Sequence, residues 1–316
     1  MSHTPRLRLG TRGSPLALAQ ANEVCARLAS ADPELAGEDA VEIVVIKTTG
    51  DTIQDRTLAD IGGKGLFTKE IEEALLAGRI DVAVHSMKDV PTWLPEGLEI
   101  STILPREDPR DALISAGGQD LAGLPAGAVI GTASLRRQAQ VLLARPDLKV
   151  VPFRGNVQTR LRKLAEGAVD ATLLAMAGLN RLGLGGEVSA VLAPEDMLPA
   201  VAQGAIGLEI RRDDGATRDR LAPLDDRDSA IRVTAERACL AVLDGSCRTP
   251  IAAFAELEAG GASLRLRALV VLPDGSQVHR AERRGPASEA AALGRDAGAA
   301  LRAAAGPAFF AALGVG

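Results

Sequence analysis

The stretch Arg79-Ile80-Asp81-Val82-Ala83-Val84-His85-Ser86-Met87-Lys88-Asp89 governs the reading of this chain. Its apolar run, Ile80 to Val84, predicts a β-strand that passes straight into Ser86, Lys88 and Asp89. In open α/β sheets, ligands bind just beyond the carboxyl ends of the strands. An ammonium and a carboxylate side by side at such a place can meet both signs of charge on one substrate. The same residues also read as a strand with a solvated turn, because Pro91 and Pro95 follow closely. Which reading holds depends on the rest of the chain.

Upstream, Arg6 to Gly10 alternates like a strand. Ser14 and Pro15 then make a helix start, and the pattern predicts a helix from Leu16 to Ala29 with Leu16, Val24 and Leu28 near one face. A second strand is expected within Asp39 to Thr48. Thr49 to Lys64, rich in glycine and charge, reads as a long functional loop. Leu66 to Ala77 predicts an amphipathic helix stopped by Gly78. Downstream the alternation restarts, with strands at Asp111 to Ser115, Val129 to Gly131, Lys149 to Phe153 and Asp170 to Leu174. Helices Leu135 to Ala144, capped by Ser134, and Val157 to Glu166, capped by Asn156, lie between them. Strand and helix in alternation predict two α/β units with parallel crossovers. From Asp226 the pattern changes. A helix at Ser229 to Leu243 precedes three antiparallel strands (Ile251 to Leu257, Ser263 to Leu272, Gln277 to Arg284), with an Asp274-Gly275 hairpin turn. A closing helix, Glu289 to Ala304, has Ser288 placed to cap it. This is a small α+β domain.

The 316 residues suffice for two or three domains. Aromatic residues make up only 2%, with no Tyr, so the core is expected from Leu, Val, Ile and Ala, and base-stacking platforms are not expected. A net charge of -5 argues against nucleic-acid binding. Only six of the 36 Lys and Arg residues are Lys. Three Cys and three His, all scattered, suit neither a disulfide framework nor a metal centre. The sequence shows no signal segment and no membrane span, so it reads as a reduced, cytoplasmic protein.

Arginine recurs in one local context. Arg12 lies between the first strand and its helix, and Arg136 and Arg137 sit in the first turn after Ser134. Arg154 ends a strand next to Gly155, and Arg160 lies one turn into the following helix. Helix N-termini already attract anions, so a cation there makes sense if an anion lies between. Arg also grips carboxylates bidentately. Repetition in both α/β units suggests a polyanionic ligand in a cleft between them, against the plain alternative of solvated surface Arg. Gly62-Gly63-Lys64-Gly65 fails the phosphate-loop pattern, because no Ser or Thr follows Lys64. His85, without a visible partner, reads as a packed, hydrogen-bonded residue. Cys25 and Cys239 read as small core residues. Cys247, in a tight loop beside Arg248, is either an ordinary loop thiol or an activated one.

Together, Thr11 to Gln20, Gly62 to Phe67, Val84 to Pro91, Gly131 to Gln138, Arg154-Gly155-Asn156 and Leu243 to Cys247 resemble, in order, the porphobilinogen deaminase (hydroxymethylbilane synthase) family. The resemblance implies two lobes like those of periplasmic binding proteins plus a small third domain. Residues 1–104 with 205–222 would form the first, 110–198 the second and 227–316 the third. It implies that four porphobilinogen molecules are joined head to tail, with loss of ammonia, on a dipyrromethane primer held by a thioether to Cys247. Hydroxymethylbilane is then released by hydrolysis. Thr132, Ser134, Arg136, Arg137, Arg154 and Arg160, with Ser86 and Lys88, would hold the cofactor carboxylates. Arg12, Ser14 and Arg181 would hold those of the incoming substrate, with Phe67 and Gln203 nearby. Asp89 would stabilise the cation left when ammonia departs and, with Lys88, make up the catalytic pair. Lys64 would belong to a mobile loop. Asp60 stands where bacterial relatives often have Lys, so no cationic role carries over to it. The resemblance also implies a monomer, and the charge, hydropathy and scattered His and Cys noted above lead to the expectation of no nucleic acid, no membrane and no metal.

Two rivals remain at this level. One is a non-catalytic, two-lobed anion-binding protein, which needs no Cys247. The other is an acyl- or phosphoryl-transfer enzyme using Cys247 or Lys64, for which no base or phosphate loop is evident.

Overall fold

The computed structural model describes residues 7–37, 39–52, 65–243 and 249–313. Strand β1 (Leu7–Thr11) leads into helix α1 (Pro15–Ala31), whose N-cap Ser14 accepts the amide of Ala17 at 3.3 Å. Strand β2 (Val41–Val45) returns parallel to β1. After helix α2 (Lys69–Leu76), strand β3 (Val82–Ser86) lies parallel to β1 on its other side. Strand β4 (Leu98–Ile103) follows.

The chain then builds a second sheet. Its elements are β5 (Asp111–Ser115), β6 (Val129–Gly131), α3 (Leu135–Ala144), β7 (Lys149–Val151), α4 (Val157–Ala165), β8 (Ala171–Ala175), α5 (Met176–Arg181) and β9 (Ala190–Val191). Strand β10 (Ile206–Arg211) then returns to the first sheet, between β3 and β4 and antiparallel to both. The two sheets share one plan, β2-β1-β3-β10-β4 and β7-β6-β8-β5-β9. In each, three parallel strands are extended by an antiparallel strand that the chain forms on entering the sheet from elsewhere. Helices α6 (Gly215–Leu221) and α7 (Arg227–Val242) follow. Strands β11 (Ile251–Glu258), β12 (Ser263–Val271) and β13 (Val278–Pro286) then form an antiparallel sheet, closed by helix α8 (Ala290–Ala312).

Two compact units result. One holds the described residues up to Arg106 together with Ala205–Ala230. The other holds Glu107–Gly204 together with the described residues from Ile231 onward. In the first, Val82, Val84 and Leu208 pack with Val24 and Leu28 of α1. The alternate residue Ala83 packs with Ile71 and Leu75 of α2. Both faces of this sheet are therefore buried, as its near-continuous apolar strands require. In the second unit Leu113 and Ile130 serve one face, and Ala112 and Ile114 the other. There the antiparallel sheet packs on α3, with Phe254, Leu269 and Val271 against Ala139.

Several boundaries differ from expectation for identifiable reasons. The strand read at Ile80 to Val84 is Val82–Ser86. Ile80 instead fills the space beside Gly10, where a Cβ would lie 2.2 Å from its Cδ1, and its carbonyl accepts from Arg211 at 2.7 Å. Ser86 therefore belongs to the ladder, and only Met87–Asp89 form the turn. Helix α2 starts at Lys69 rather than Leu66, because Gly65 is left-handed and its carbonyl takes the amides of Thr68 and Lys69 in a turn. Leu16 is only partly buried; Ala17, Gln20 and Ala21 complete the inner face of α1. Ser288 does not cap α8. It lies in a short turn, and helix resumes beyond a break at Gly306, with Pro307 next, to Ala312. The Asp274-Gly275 hairpin turn, the Ser134 and Asn156 caps, and Cys239 in the core are as expected.

Candidate active site

In the first unit, β3 delivers Ser86 at its end and the turn Met87–Asp89 just beyond. Ser86 is fixed by Gln20 of α1. Gln20 Nε2 donates to Ser86 Oγ at 2.9 Å, and the same two side chains also meet with Ser86 Oγ donating to Gln20 Oε1 at 3.0 Å. Asp89 is partly buried and makes no side-chain hydrogen bond or ion pair among the described residues. Arg12 and Phe67 are brought together, the guanidinium lying 4.2 Å from the ring centroid. Arg12 is also clamped by Asp51, its Nε donating to both carboxylate oxygens at 3.2 Å. Burial alone would raise the Asp51 carboxyl, but hydrogen bonds from Arg12 and Thr48 and the Arg12 charge hold it below the usual carboxylate range. Ser14 accepts the Ala17 amide at the start of α1, so its hydroxyl proton is left over from the cap.

In the second unit, Arg136 and Arg137 point inward from the first turn of α3 and are both buried. The anion they meet belongs to the protein. Asp111, the first residue of β5, is fully buried and accepts from Arg136 Nη1 and Arg137 Nη2, each at 2.7 Å. Gln203 joins the same carboxylate at 3.0 Å. Burial would raise Asp111, but the two guanidinium charges, with hydrogen bonds from Arg136 and Gln203, hold it far below the ordinary range. Thr132 Oγ1 accepts the Ser134 amide at 3.2 Å, ordering the loop that caps α3.

Arg160 stands apart. Its Nε donates to the Gly155 carbonyl at 2.9 Å, and no carboxylate among the described residues bonds to it. Burial, with the charges of Arg137 and Arg154, pulls its pKa down to about 10. Lys163 adds a further positive charge, with Nζ 3.4 Å from the Arg154 carbonyl. Gly155 has φ +125, which lets the backbone turn between Arg154 and the Asn156 cap. Two guanidiniums on one carboxylate, and a third without one, leave this part of the unit with surplus positive charge suited to carboxylates from outside. Arg181, at the end of α5, donates to the Gly204 carbonyl at 3.2 Å, beside Gln203. Lys64 and Cys247, and with them Asp60, lie outside the described residues.

Asp51, Asp111 and Gln20 were not legible as site residues. Asp111 did carry a signal: a lone carboxylate opening the apolar strand Asp111-Ala112-Leu113-Ile114-Ser115 must find cations, and Arg136-Arg137 supplies them. Among the described residues no cluster of three His, Cys, Asp or Glu could hold a metal ion, and no helix is long and apolar enough to cross a membrane.

The fold and these groups define an α/β protein whose second unit carries surplus guanidinium charge and whose first unit carries a carboxylate turn at a strand end. Residues 7–219 match the family model described as "Porphobilinogen deaminase, dipyromethane cofactor binding domain", and residues 230–303 match "Porphobilinogen deaminase, C-terminal domain". The chain is 60% identical over 304 residues to the porphobilinogen deaminase of Paracoccus denitrificans, covering 96% of each. It is 58% identical over 306 residues to the chloroplastic porphobilinogen deaminase of Oryza sativa subsp. japonica, covering 96% of this chain and 85% of that one. Among solved structures, the periplasmic aliphatic sulphonate binding protein of Escherichia coli matches with a TM-score of 0.40 at 16% identity, over 75% of this chain and 70% of that one. At that score the likeness bears no argument, and the fold class rests on the sheets themselves. The chain belongs to the porphobilinogen deaminase family, transferases of tetrapyrrole synthesis. That membership decides against the non-catalytic anion-binding alternative.

Proposed function

We propose that the chain joins four porphobilinogen molecules head to tail on a dipyrromethane bound by a thioether to Cys247, and releases hydroxymethylbilane by hydrolysis. In each addition the aminomethyl C–N bond breaks, ammonia leaves, a C–C bond forms to the next pyrrole, and that pyrrole's ring proton is lost. The observation that carries this reading is Arg160, partly buried, beside Arg137 and Arg154 and unpaired with any described carboxylate. A dipyrromethane bears acetate and propionate groups, so it fits this cationic surface; bound there, it would supply the nucleophilic pyrrole carbon that accepts the first unit, each later unit adding to the free α-carbon of the unit before it.

The chain's own residues take these parts. Arg154 and Arg160 bind carboxylates of the cofactor. Arg136 and Arg137, anchored on Asp111, add their positive field in holding the same anions, and Thr132 and Ser134 order the loop beside them. Ser86 and Lys88 contribute from the end of β3. Arg12, Ser14 and Arg181 take substrate carboxylates, with Phe67 and Gln203 completing the substrate's surroundings and Lys64 contributing from the loop. Asp89, whose side chain has no bond among the described residues, accepts the pyrrole N–H and stabilises the positive charge that grows as ammonia departs. It also relays protons, with Lys88 as its neighbour. We place the protein in the cytoplasm as a monomer that uses no metal; the Paracoccus denitrificans relative supports this location, whereas the rice relative is named as chloroplastic.

Intact-mass measurement tests the core of this reading. The purified protein is expected to carry an adduct the size of two linked pyrrole units, absent from Cys247→Ser, which also loses turnover. An active protein of unmodified mass refutes the thioether. Arg160→Leu separates ligand binding from folding. Because this guanidinium sits among like charges, its removal is expected to stabilise the cofactor-free chain by about 1 kcal/mol while impairing cofactor assembly. Urea denaturation and adduct yield read the two effects, and wild-type adduct yield in that variant sinks the role given to Arg160.

A further inference from the structure

Behind the Ser86–Asp89 segment lies a buried ionisable cluster to which no role has yet been given. In the antiparallel ladder of β3 and β10, Ser86 opposes Ile206, His85 opposes Gly207 and Ala83 opposes Glu209. His85 and Glu209 thus point to one face of the sheet and meet on the diagonal. His85 Nε2 lies 2.8 Å from Glu209 Oε2, and the side chains are only 4% and 0% exposed. Glu209 Oε1 is buried with no hydrogen-bond partner. Helix α2 covers this face through Ile71, Ala74 and Leu75, and brings in Glu72, 7% exposed.

The cluster therefore holds two carboxyl groups and one imidazole. Among the described residues no other cation bonds to either carboxyl. Burial pushes the Glu72 carboxyl up against the opposing pull of the Thr68 side chain, and the charges on Glu209 and, from its own helix, Glu70 add to the rise against the attraction of His85. Within the cluster, then, the imidazole serves Glu209, and the Glu72 carboxyl holds its proton more firmly than an ordinary glutamate does.

The pair has a geometric consequence. If β3 slipped against β10, Glu209 would be left in the interior without a partner, which is costly; buried polar pairs are best attested as devices that fix register. Register sets how far the end of β3 projects, and with it Ser86, Lys88 and Asp89. The next residue is pressed on the same strand: a Cβ on Gly207 would lie 2.1 Å from Met87 Sδ, so the turn is seated in the space this glycine leaves.

We propose that His85 and Glu209 are positioning residues for the condensation, holding the Asp89 turn in register, with Glu72 of the covering helix as the third member of the same buried cluster. The proposal rests on the role given to Asp89 above. The sign of its pH dependence follows from Glu72. As pH rises from the ordinary glutamate range through the raised value, Glu72 ionises beside Glu209, the folded state loses stability and the support loosens.

The test uses the cofactor-loaded protein and its His85→Gln, Glu209→Gln, Glu72→Gln and Asp89→Asn variants. Adduct mass, kcat and KM for porphobilinogen are followed from acid to alkaline pH. His85→Gln and Glu209→Gln are expected to keep the adduct and KM but lose about 10–100-fold in kcat, as misplacement of a reacting group does. Glu72→Gln, the isostere of the neutral acid, is expected to carry the fall in kcat with rising pH to higher pH than in wild type. A merely structural cluster would lower adduct yield or stability and leave the pH profile in place. Wild-type kcat in both pair variants overturns the positioning role, and a Glu72→Gln profile that superimposes on wild type overturns the part given to Glu72. Should His85→Gln and Glu209→Gln fail to fold, the Glu72→Gln profile alone decides. Near-normal turnover by Asp89→Asn would instead remove the reading on which the proposal rests, a separate outcome.

Discussion

Asp89→Asn is expected to turn over porphobilinogen about 10²–10³-fold more slowly than wild type, the usual effect of removing one preorganised electrostatic contact to a charged transition state. The substitution keeps size and hydrogen-bonding shape but removes the charge. Asp89 makes no side-chain bond among the described residues, so no described contact depends on that charge. Fold and adduct should therefore survive, and the loss should fall on kcat. Single-turnover kinetics on material of verified adduct mass measures it. Activity within a few-fold of wild type would show that the developing cation is stabilised elsewhere.

Asp111→Ala is expected to cost about 3–5 kcal/mol of stability, the range for removing one partner of a buried ionic pair. The variant leaves Arg136 and Arg137 buried side by side, each losing its 2.7 Å hydrogen bond, and takes an acceptor from Gln203. The pH dependence has a definite sign. The Asp111 carboxyl is depressed in the folded state, so its contribution is complete above the ordinary carboxylate range and is lost as pH falls below that range toward the folded value. Wild type should thus lose stability in acid along this limb, and the variant should lack that part of the loss. Urea melts from neutral to acid pH test both points. A cost below about 1 kcal/mol would mean that relaxation or water compensates the guanidiniums.

The contrast between Asp89 and Asp111 shows what the sequence could and could not convey. The α/β alternation, the caps at Ser14, Ser134 and Asn156, and the three antiparallel strands were legible because each depends on neighbours a few residues away. The Arg residues at strand-to-helix junctions were legible as anion seekers for the same reason. Their partners were not. Asp111 lies more than twenty residues before Arg136, and Asp51 nearly forty after Arg12, so only the folded chain joins them. Local spacing thus read Arg136, Arg137 and Arg160 alike, whereas the structure separates two that share one buried carboxylate from one that has none among the described residues. The strand at Val82–Ser86 shifted by two residues for a similar reason. The carbonyl of Ile80 is claimed by Arg211, from a strand that enters the sheet more than a hundred residues later.

That late-arriving strand bears on how the protein is made. Ile206–Arg211 separates β3 from β4, so the first sheet lacks an inner strand until well over half the polypeptide has left the ribosome. Until then the nascent chain exposes two unpaired edges flanking the segment destined for chemistry, an invitation to misassociation in the crowded cell. The N-terminal portion should therefore depend on chaperone shielding during synthesis, and translation arrested before Ile206 should yield a protease-sensitive nascent chain, whereas arrest well beyond Arg211 should not.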